Sequence, residues 1–526
     1  MSVGRDKRFL VVALDGATFD LIRPLADRGE LPFISEVAAR GCSMSLLSTV
    51  PPITPPAWSS FATGSPPSEH GVFGFNYPDP SDYSLRLTTA ADLRRPTLWQ
   101  RLSRAGFRVL LLDVPFTFPP EPVSGSLIAG FPLPEAAPFT HPLDLTDRLE
   151  SQGVACARYP TDAPDPATPD FLAWLDEITD NRLRLFRHLT RRTAGEPWQF
   201  AMVGTMAIDW AQHALWKYFD RRFVFSAEPE AAERRETLFA CYRRMDRFAA
   251  DLADIAGDET TTVLVSDHGF GATFHYDWVT EALSEADLLR WRGGGRRLAT
   301  TAAAAMLKAA RSSPRLQRLG KRWLGDTAQA RTWARCARAY SQIDWERTRV
   351  FAAGDYHLNL YVNCRSRFAG GTVQGGADYE KVLNDTVAAL EAFRPPGHDQ
   401  PLVRRIVRVE GGARALSTKT PDLSLELAVL PMPDDPRTAM PMAGICGFHT
   451  PEGILMTNAA NWLEPDRPAK IGIADLAPAI LEYLEVPDDR GKMPVTPVER
   501  GASAADFSAE ERAALLDRLR NLGYSD

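Results

Sequence analysis

Six short apolar runs rich in Val, Ile and Leu recur along this chain, and they constrain its fold more than any other feature. They are RFLVVALD (8–15), RVLLLDVP (108–115), QFAMVGTM (199–206), TTVLVSD (261–267), LSLELAVL (423–430) and KIGIADLA (470–477). Each is too short for a helix and too uniformly apolar for a strand with one wet face. Such runs are expected to be central strands of a mostly parallel sheet covered on both faces. Helical patterns lie between them, among them PFISEVAARG (32–41), TLWQRLSRAG (97–106) and AAERRETLFACYRRMDRFAADLADIAG (231–257). The alternation predicts a layered α/β architecture.

Ionisable residues punctuate this pattern. Asp15 closes VVALDG, and Asp267 and His268 close VLVSDHG, each before a glycine. Asp209 and His213 stand four apart, so they share a face if a helix begins at 208. His449 lies in GFHTPEG, and Thr54 is a hydroxyl between prolines in TVPPITPPAWSS. In open α/β sheets, ligands collect beyond the carboxyl ends of the strands. Three carboxylates, three imidazoles and a hydroxyl make a sensible ligand set for two divalent cations flanking a nucleophile. That points to displacement at a phosphoryl group or a close relative. Plainer roles stay open residue by residue: Asp15 as a turn aspartate or cap, Asp209 as an N-cap, His213 as a half-buried helix histidine. Asp267 and His268 resist that reading, because two ionisable groups after VLV need partners.

Composition narrows the classes. A chain of 526 residues has room for two to four average domains, or one large α/β domain with insertions. Its net charge of −7 gives no global basic field, so nucleic acid is not an expected partner. The six cysteines form no CxxC pair and read as reduced residues of a cytoplasmic protein. No apolar run approaches the ~18 residues of a spanning helix, and the first segment does not read as a signal peptide. One stretch departs from the acidic whole: Arg290 to Arg338 carries thirteen Lys or Arg and a single acid, Asp326. It predicts a helical basic insertion, with three readings: a solvated face, a lid for an anionic substrate, or a peripheral membrane contact through 290–338. The expected division is therefore 1–285, then the insertion at 286–345, then 346–526 with a C-terminal helix.

Taken in order, VVALDG, T-P-x-A-W-x-x-x-x-TG with P-x-x-HG, D-x-x-x-H-x-x-W-K, SDHGFG, G-x-H-x-PEG and DLAP-x-IL resemble the type I phosphodiesterase and nucleotide pyrophosphatase branch of the alkaline phosphatase superfamily. The resemblance covers most of 8–285 and 345–490. It implies a three-layer α/β/α sandwich with a mostly parallel central sheet. It also implies two divalent ions, zinc first and manganese as the alternative. On that match Asp209, His213 and His449 would hold one ion. Asp15, Asp267 and His268 would hold the other, with Thr54 bridging as the nucleophile. Ser59, Ser60 and Thr63 lie nearby, but Thr54 stands nine residues before TG, as that group's nucleophile does. His70 matches a position in the group that is not itself a ligand.

Two departures matter. Where the nucleotide pyrophosphatases carry an asparagine three residues after the nucleophile, this chain has Ala57. Either a phosphoryl-oxygen donor comes from Trp58, backbone amides or a lid arginine, or the reaction differs. Arg367 is a weak substrate-binding candidate, and a solvated side chain is the favoured reading of it. The nucleotide-stacking aromatics of those enzymes do not align here either. The expected activity is thus a two-metal hydrolase of small anionic phosphate esters, of the diester or pyrophosphate type, through a phospho-threonine. One alternative is a phosphomutase of the cofactor-independent phosphoglycerate mutase type, which usually has a serine nucleophile and a larger insertion. Others are a phosphomonoester, phosphonate or sulfate ester hydrolase, although ITPPAWSS lacks the C/S-x-P-x-R of sulfatases, and a non-catalytic scaffold.

Overall fold

The computed structural model describes residues 6–159, 164–168, 170–191, 197–221, 224–272, 278–292, 342–354, 357–395, 398–410, 419–428, 447–459, 462, 470–488, 510, 513 and 515. Most of the basic stretch at 290–338, most of the expected C-terminal helix, Cys336 and Cys446 lie outside the described residues.

In chain order the strands are β1 (Arg8–Leu14), β2 (Cys42–Leu47), β3 (Asn76–Pro78), β4 (Leu85–Leu87), β5 (Val109–Val114), β6 (Gly125–Ala129), β7 (Thr140–His141), β8 (Phe200–Thr205) and β9 (Thr260–Val265). They continue with β10 (Gly269–Ala272), β11 (Val350–Ala353), β12 (Asn359–Val362), β13 (Val403–Arg408), β14 (Leu423–Leu427), β15 (Gly447–Thr450), β16 (Glu452–Thr457) and β17 (Lys470–Gly472). Nine of them form the central sheet in the order β17-β2-β16-β9-β1-β8-β5-β6-β7. Its pairs are parallel except where β16 meets β2 and β9, and where β7 meets β6. Strands β5, β8 and β9 are buried along their whole length, as a sheet covered on both faces requires. The helices expected at 32–41, 97–106 and 231–257 form at Pro32–Arg40, Leu98–Arg104 and Ala231–Ala256. The α/β fold with a mostly parallel central sheet and flanking helices is therefore the observed one.

The chain divides into two compact units. One holds residues 1–75, 87–272 and 446–522, and with them the central sheet. The other holds 76–86, 273–445 and 523–526, and contains a four-stranded antiparallel sheet of order β11-β12-β14-β13. Two of the six apolar runs behave differently from expectation. LSLELAVL supplies β14 of this second sheet rather than a central strand. An apolar run reports burial but not which sheet buries it, and its neighbour β13, VRRIVR, carries three arginines that are all exposed, as a half-exposed strand can. In KIGIADLA the strand stops at Gly472 on the sheet edge, because Asp475 accepts the Gly472 N–H at 3.0 Å and starts a helical turn.

Candidate active site

Strands β9, β1 and β8 are neighbours in the sheet, and each delivers a carboxylate at its carboxyl end. Asp15 directly follows β1, Asp267 follows β9 by two residues, and Asp209 sits in the first turn of the helix Ala207–Phe219 after β8. The three are fully buried. The close approach of the β1 turn to Asp209 demands a glycine. Gly16 has φ +71°, and a Cβ there would stand 3.0 Å from the Asp209 side chain. His213 follows Asp209 by one helical turn. His268 precedes β10, and β10 pairs with β15 so that Phe270 faces His449. That short ribbon carries the last imidazole over the strand ends.

The imidazoles and carboxylates converge. His213 Nε2 lies 3.0 Å from His449 Nε2, and Asp209 Oδ1 is 3.4 Å from the first and 3.3 Å from the second. One atom from each of Asp209, His213 and His449 lies within 4.8 Å of the other two. The same is true of Asp15, Asp209 and His268. Asp267 falls outside that second trio, although its Oδ2 is 3.4 Å from His268 Nε2. Thr54 Oγ1 is 3.5 Å from His268 Nε2. All seven residues singled out by their sequence context therefore meet in one place.

The electrostatics fit a cation site. Burial, with Asp267 and Asp209 close by, pushes the Asp15 carboxyl well above its usual range. Burial and Asp209 do the same to Asp267. Burial also works against Asp209, but His213 and His449 outweigh it and hold that carboxyl below the ordinary value. Burial, helped by His449, drives His268 well below the ordinary imidazole value, and burial lowers His449. The Nδ1 atoms of both rings face backbone carbonyls, His268 that of Gly269 at 3.0 Å and His449 that of Pro52 at 3.1 Å. A proton held on Nδ1 by such a carbonyl leaves Nε2 as the lone-pair side, turned into the cluster. Asp15 Oδ1 and Asp267 Oδ2 are buried without a hydrogen-bond partner. Buried carboxylate oxygens of this kind need a compensating positive charge. This donor set fits one or two divalent ions of the borderline type.

Thr54 opens the helix Thr54–Thr63. Pro55 and Pro56 are tolerated there because first-turn amides have no acceptor inside the helix. They also remove donors: with Ala57 N–H given to Ile53 O, the Thr54 amide is the one first-turn N–H left to point at a ligand. Further along this helix Ser60 Oγ meets His70 Nε2 at 2.9 Å, while His70 Nδ1 accepts from Val72 N–H. Burial pushes His70 down to about 3, so it is a neutral strut.

The two substrate-binding candidates are both engaged elsewhere. Trp58 Nε1 donates to Asp15 Oδ2 at 2.7 Å. Arg367, in the second unit, is buried and forked onto Asp422, with Nη2–Oδ2 at 2.6 Å and Nη1–Oδ1 at 3.2 Å. Asp422 also accepts from Tyr379 OH and Val362 N–H. Sequence reading passed over a relay behind the site. Gln212 Nε2 donates to Gly16 O at 2.7 Å, and Tyr242 OH donates to Gln212 Oε1 at 2.9 Å. The available signal was a polar amide in IDWAQH one helical turn from Asp209, which must find partners once buried.

Residues 9–342, more than half of the chain, match the family model described as type I phosphodiesterase / nucleotide pyrophosphatase. The chain belongs to that family. Phosphoester hydrolysis is thereby its reaction class. Several solved structures are similar to this type I phosphodiesterase family member over nearly their whole length. Phosphonoacetate hydrolase from Sinorhizobium meliloti 1021, in complex with phosphonoacetate, is 17% identical with a TM-score of 0.46, covering 92% of this chain and 96% of its own. Murine ectonucleotide pyrophosphatase / phosphodiesterase 5, an inactive form in complex with AMP, is 10% identical with a TM-score of 0.46, covering 91% and 96%. The human protein of that name is 11% identical with a TM-score of 0.45, covering 93% and 96%. Among the described residues, no helix is long and apolar enough to cross a membrane.

Proposed function

We propose that this chain is a two-metal hydrolase of phosphodiester or pyrophosphate bonds that works through a phospho-threonine at Thr54. The observation that carries the reading is the convergence of Asp15, Asp209 and Asp267 at three adjacent strand ends, two of them with a buried oxygen lacking a hydrogen-bond partner. Asp209, His213 and His449 would hold one ion, and Asp15, Asp267 and His268 the other. Zinc is the first choice for this mixture of imidazole and carboxylate, and manganese the second. When bound, two such ions lower the cost of an alkoxide at Thr54 and of negative charge on the leaving oxygen.

The chain's own residues do the rest. Thr54 Oγ1 forms a bond to phosphorus as the bond to the leaving oxygen breaks, and the hydroxyl proton is released. Water then displaces Thr54 Oγ1 from phosphorus and restores the hydroxyl. The Thr54 amide, at the positive end of its helix, would donate to a phosphoryl oxygen. With alanine at position 57, no side chain there shares that work. Gly269 O and Pro52 O keep His268 and His449 in the tautomer that presents Nε2.

The test is a panel of bis-p-nitrophenyl phosphate, p-nitrophenyl phosphate, p-nitrophenyl sulfate and a phosphonate monoester, with zinc or manganese added. The diester should be turned over fastest, and quenched enzyme should carry one phosphoryl group on Thr54. A sulfate or monoester preference, or no label on Thr54, would replace the reading.

A further inference from the structure

We propose that Trp58 is a positioning residue for Asp15, and through it for the spacing between the metal cluster and the nucleophile. The inference rests on the two-metal reading above. Trp58 follows Thr54 by four residues, so one face of the helix Thr54–Thr63 presents both the hydroxyl and the indole N–H to the strand ends. The indole donates to Asp15 Oδ2 at 2.7 Å, with both residues buried. An indole nitrogen is a donor only. The carboxylate therefore cannot rotate to offer Oδ2 elsewhere without stranding that N–H. Its other oxygen, Oδ1, has no hydrogen-bond partner and lies 3.5 Å from His268 Nε2. One oxygen is pinned and the other is left for a cation.

Two further contacts make this a rigid strut. The Trp58 ring is wedged edge-on against Phe61 at 5.7 Å. The far part of the helix is tied by Ser60 to His70. With Asp15 at the end of β1 and Thr54 at the head of the helix, the Trp58–Asp15 bond sets how far the ligand and the hydroxyl stand apart. It also means that the Trp58 N–H is not the missing donor to substrate. Partners of this kind behind a metal ligand are worth about 10- to 100-fold in metal affinity or activity.

The experiment compares wild type, Trp58→Phe and a chain whose position 58 carries benzothienylalanine, which keeps the shape of the indole and lacks its N–H. Zinc content is measured by elemental analysis, zinc affinity by chelator competition, and kcat and KM on bis-p-nitrophenyl phosphate. Wild type should hold two ions. Both variants should hold one of the two about 10- to 100-fold more weakly, with kcat lowered at saturating zinc and KM unchanged. Variants with wild-type zinc affinity at both sites and a raised KM overturn the proposal, because Trp58 then serves the substrate. If Trp58→Phe fails to fold, the benzothienyl variant decides alone. A wild type that holds less than one ion overturns the two-metal reading itself, and this inference with it.

Discussion

The imidazoles of His268 and His449 stack face to face, with centroids 3.6 Å apart and planes within 15°. Two imidazolium rings would repel at that distance, so the arrangement belongs to neutral rings, which are the form that ligates metal. Burial pushes both in that direction.

Divalent ions should stabilise the fold as well as support turnover. At a zinc concentration a thousandfold above the dissociation constant, one site adds about 4 kcal/mol. Melting curves with zinc and with chelator should differ accordingly, and Asp267→Asn or His268→Ala should shrink the difference and abolish activity. Equal melting temperatures with and without zinc would remove the metal assignment.

Thr54→Ala should keep zinc content and melting temperature near wild type while turnover falls by at least about a thousandfold, since the covalent route is gone. Thr54→Ser keeps a hydroxyl and should retain measurable activity. Steady-state rates on a diester, measured beside elemental analysis of the same preparations, check both. A Thr54→Ala enzyme within tenfold of wild type excludes Thr54 as nucleophile.

The Ser60–His70 contact predicts a stability effect with no pH signature near neutrality, because His70 titrates at about 3. His70→Ala leaves Ser60 Oγ and Val72 N–H without their buried partner and should cost about 2–4 kcal/mol. Ser60→Ala alone should cost about 1 kcal/mol. Chemical denaturation of the two variants and the double variant reads the coupling. Additive losses would show that the contact carries no energy.

Glu121 accepts from Thr97 Oγ1 and Trp99 Nε1, and burial raises it from the ordinary 4.5 to about 7. A carboxyl raised in the folded state favours folding below its unfolded value. That contribution fades as pH climbs through the folded value. Stability should therefore fall between about pH 4.5 and pH 7 by up to about 3 kcal/mol from this group. Glu121→Gln should match wild type near pH 5 and exceed it near pH 8. Parallel denaturation curves at every pH would contradict the shift.

Arg367 and Asp422 form a buried, bidentate pair inside the second unit. Arg367→Ala leaves the carboxylate uncompensated and should destabilise by about 3–5 kcal/mol. Measured at a temperature where the variant is folded, KM should not change. A raised KM with unchanged stability would return Arg367 to the substrate.

The chain's local pattern determined a good deal on its own. Uniformly apolar runs ending in Asp15 and Asp267 dictated central strands with carboxylates at their ends, because a period of one burial class admits no wet face. The spacing of Asp209 and His213 placed both on one helix face through the 3.6 period alone. Only the tertiary structure decided the rest. Sheet order put β9, β1 and β8 side by side, and no local pattern encodes strand order. The pairing of β10 with β15 brought in His449 from 181 residues beyond His268, a long-range contact that sequence spacing cannot show. Trp58 and Arg367 looked equally available in sequence. One was turned onto Asp15 and the other onto Asp422, because a buried donor goes to the nearest buried acceptor, and burial is a property of the assembled fold.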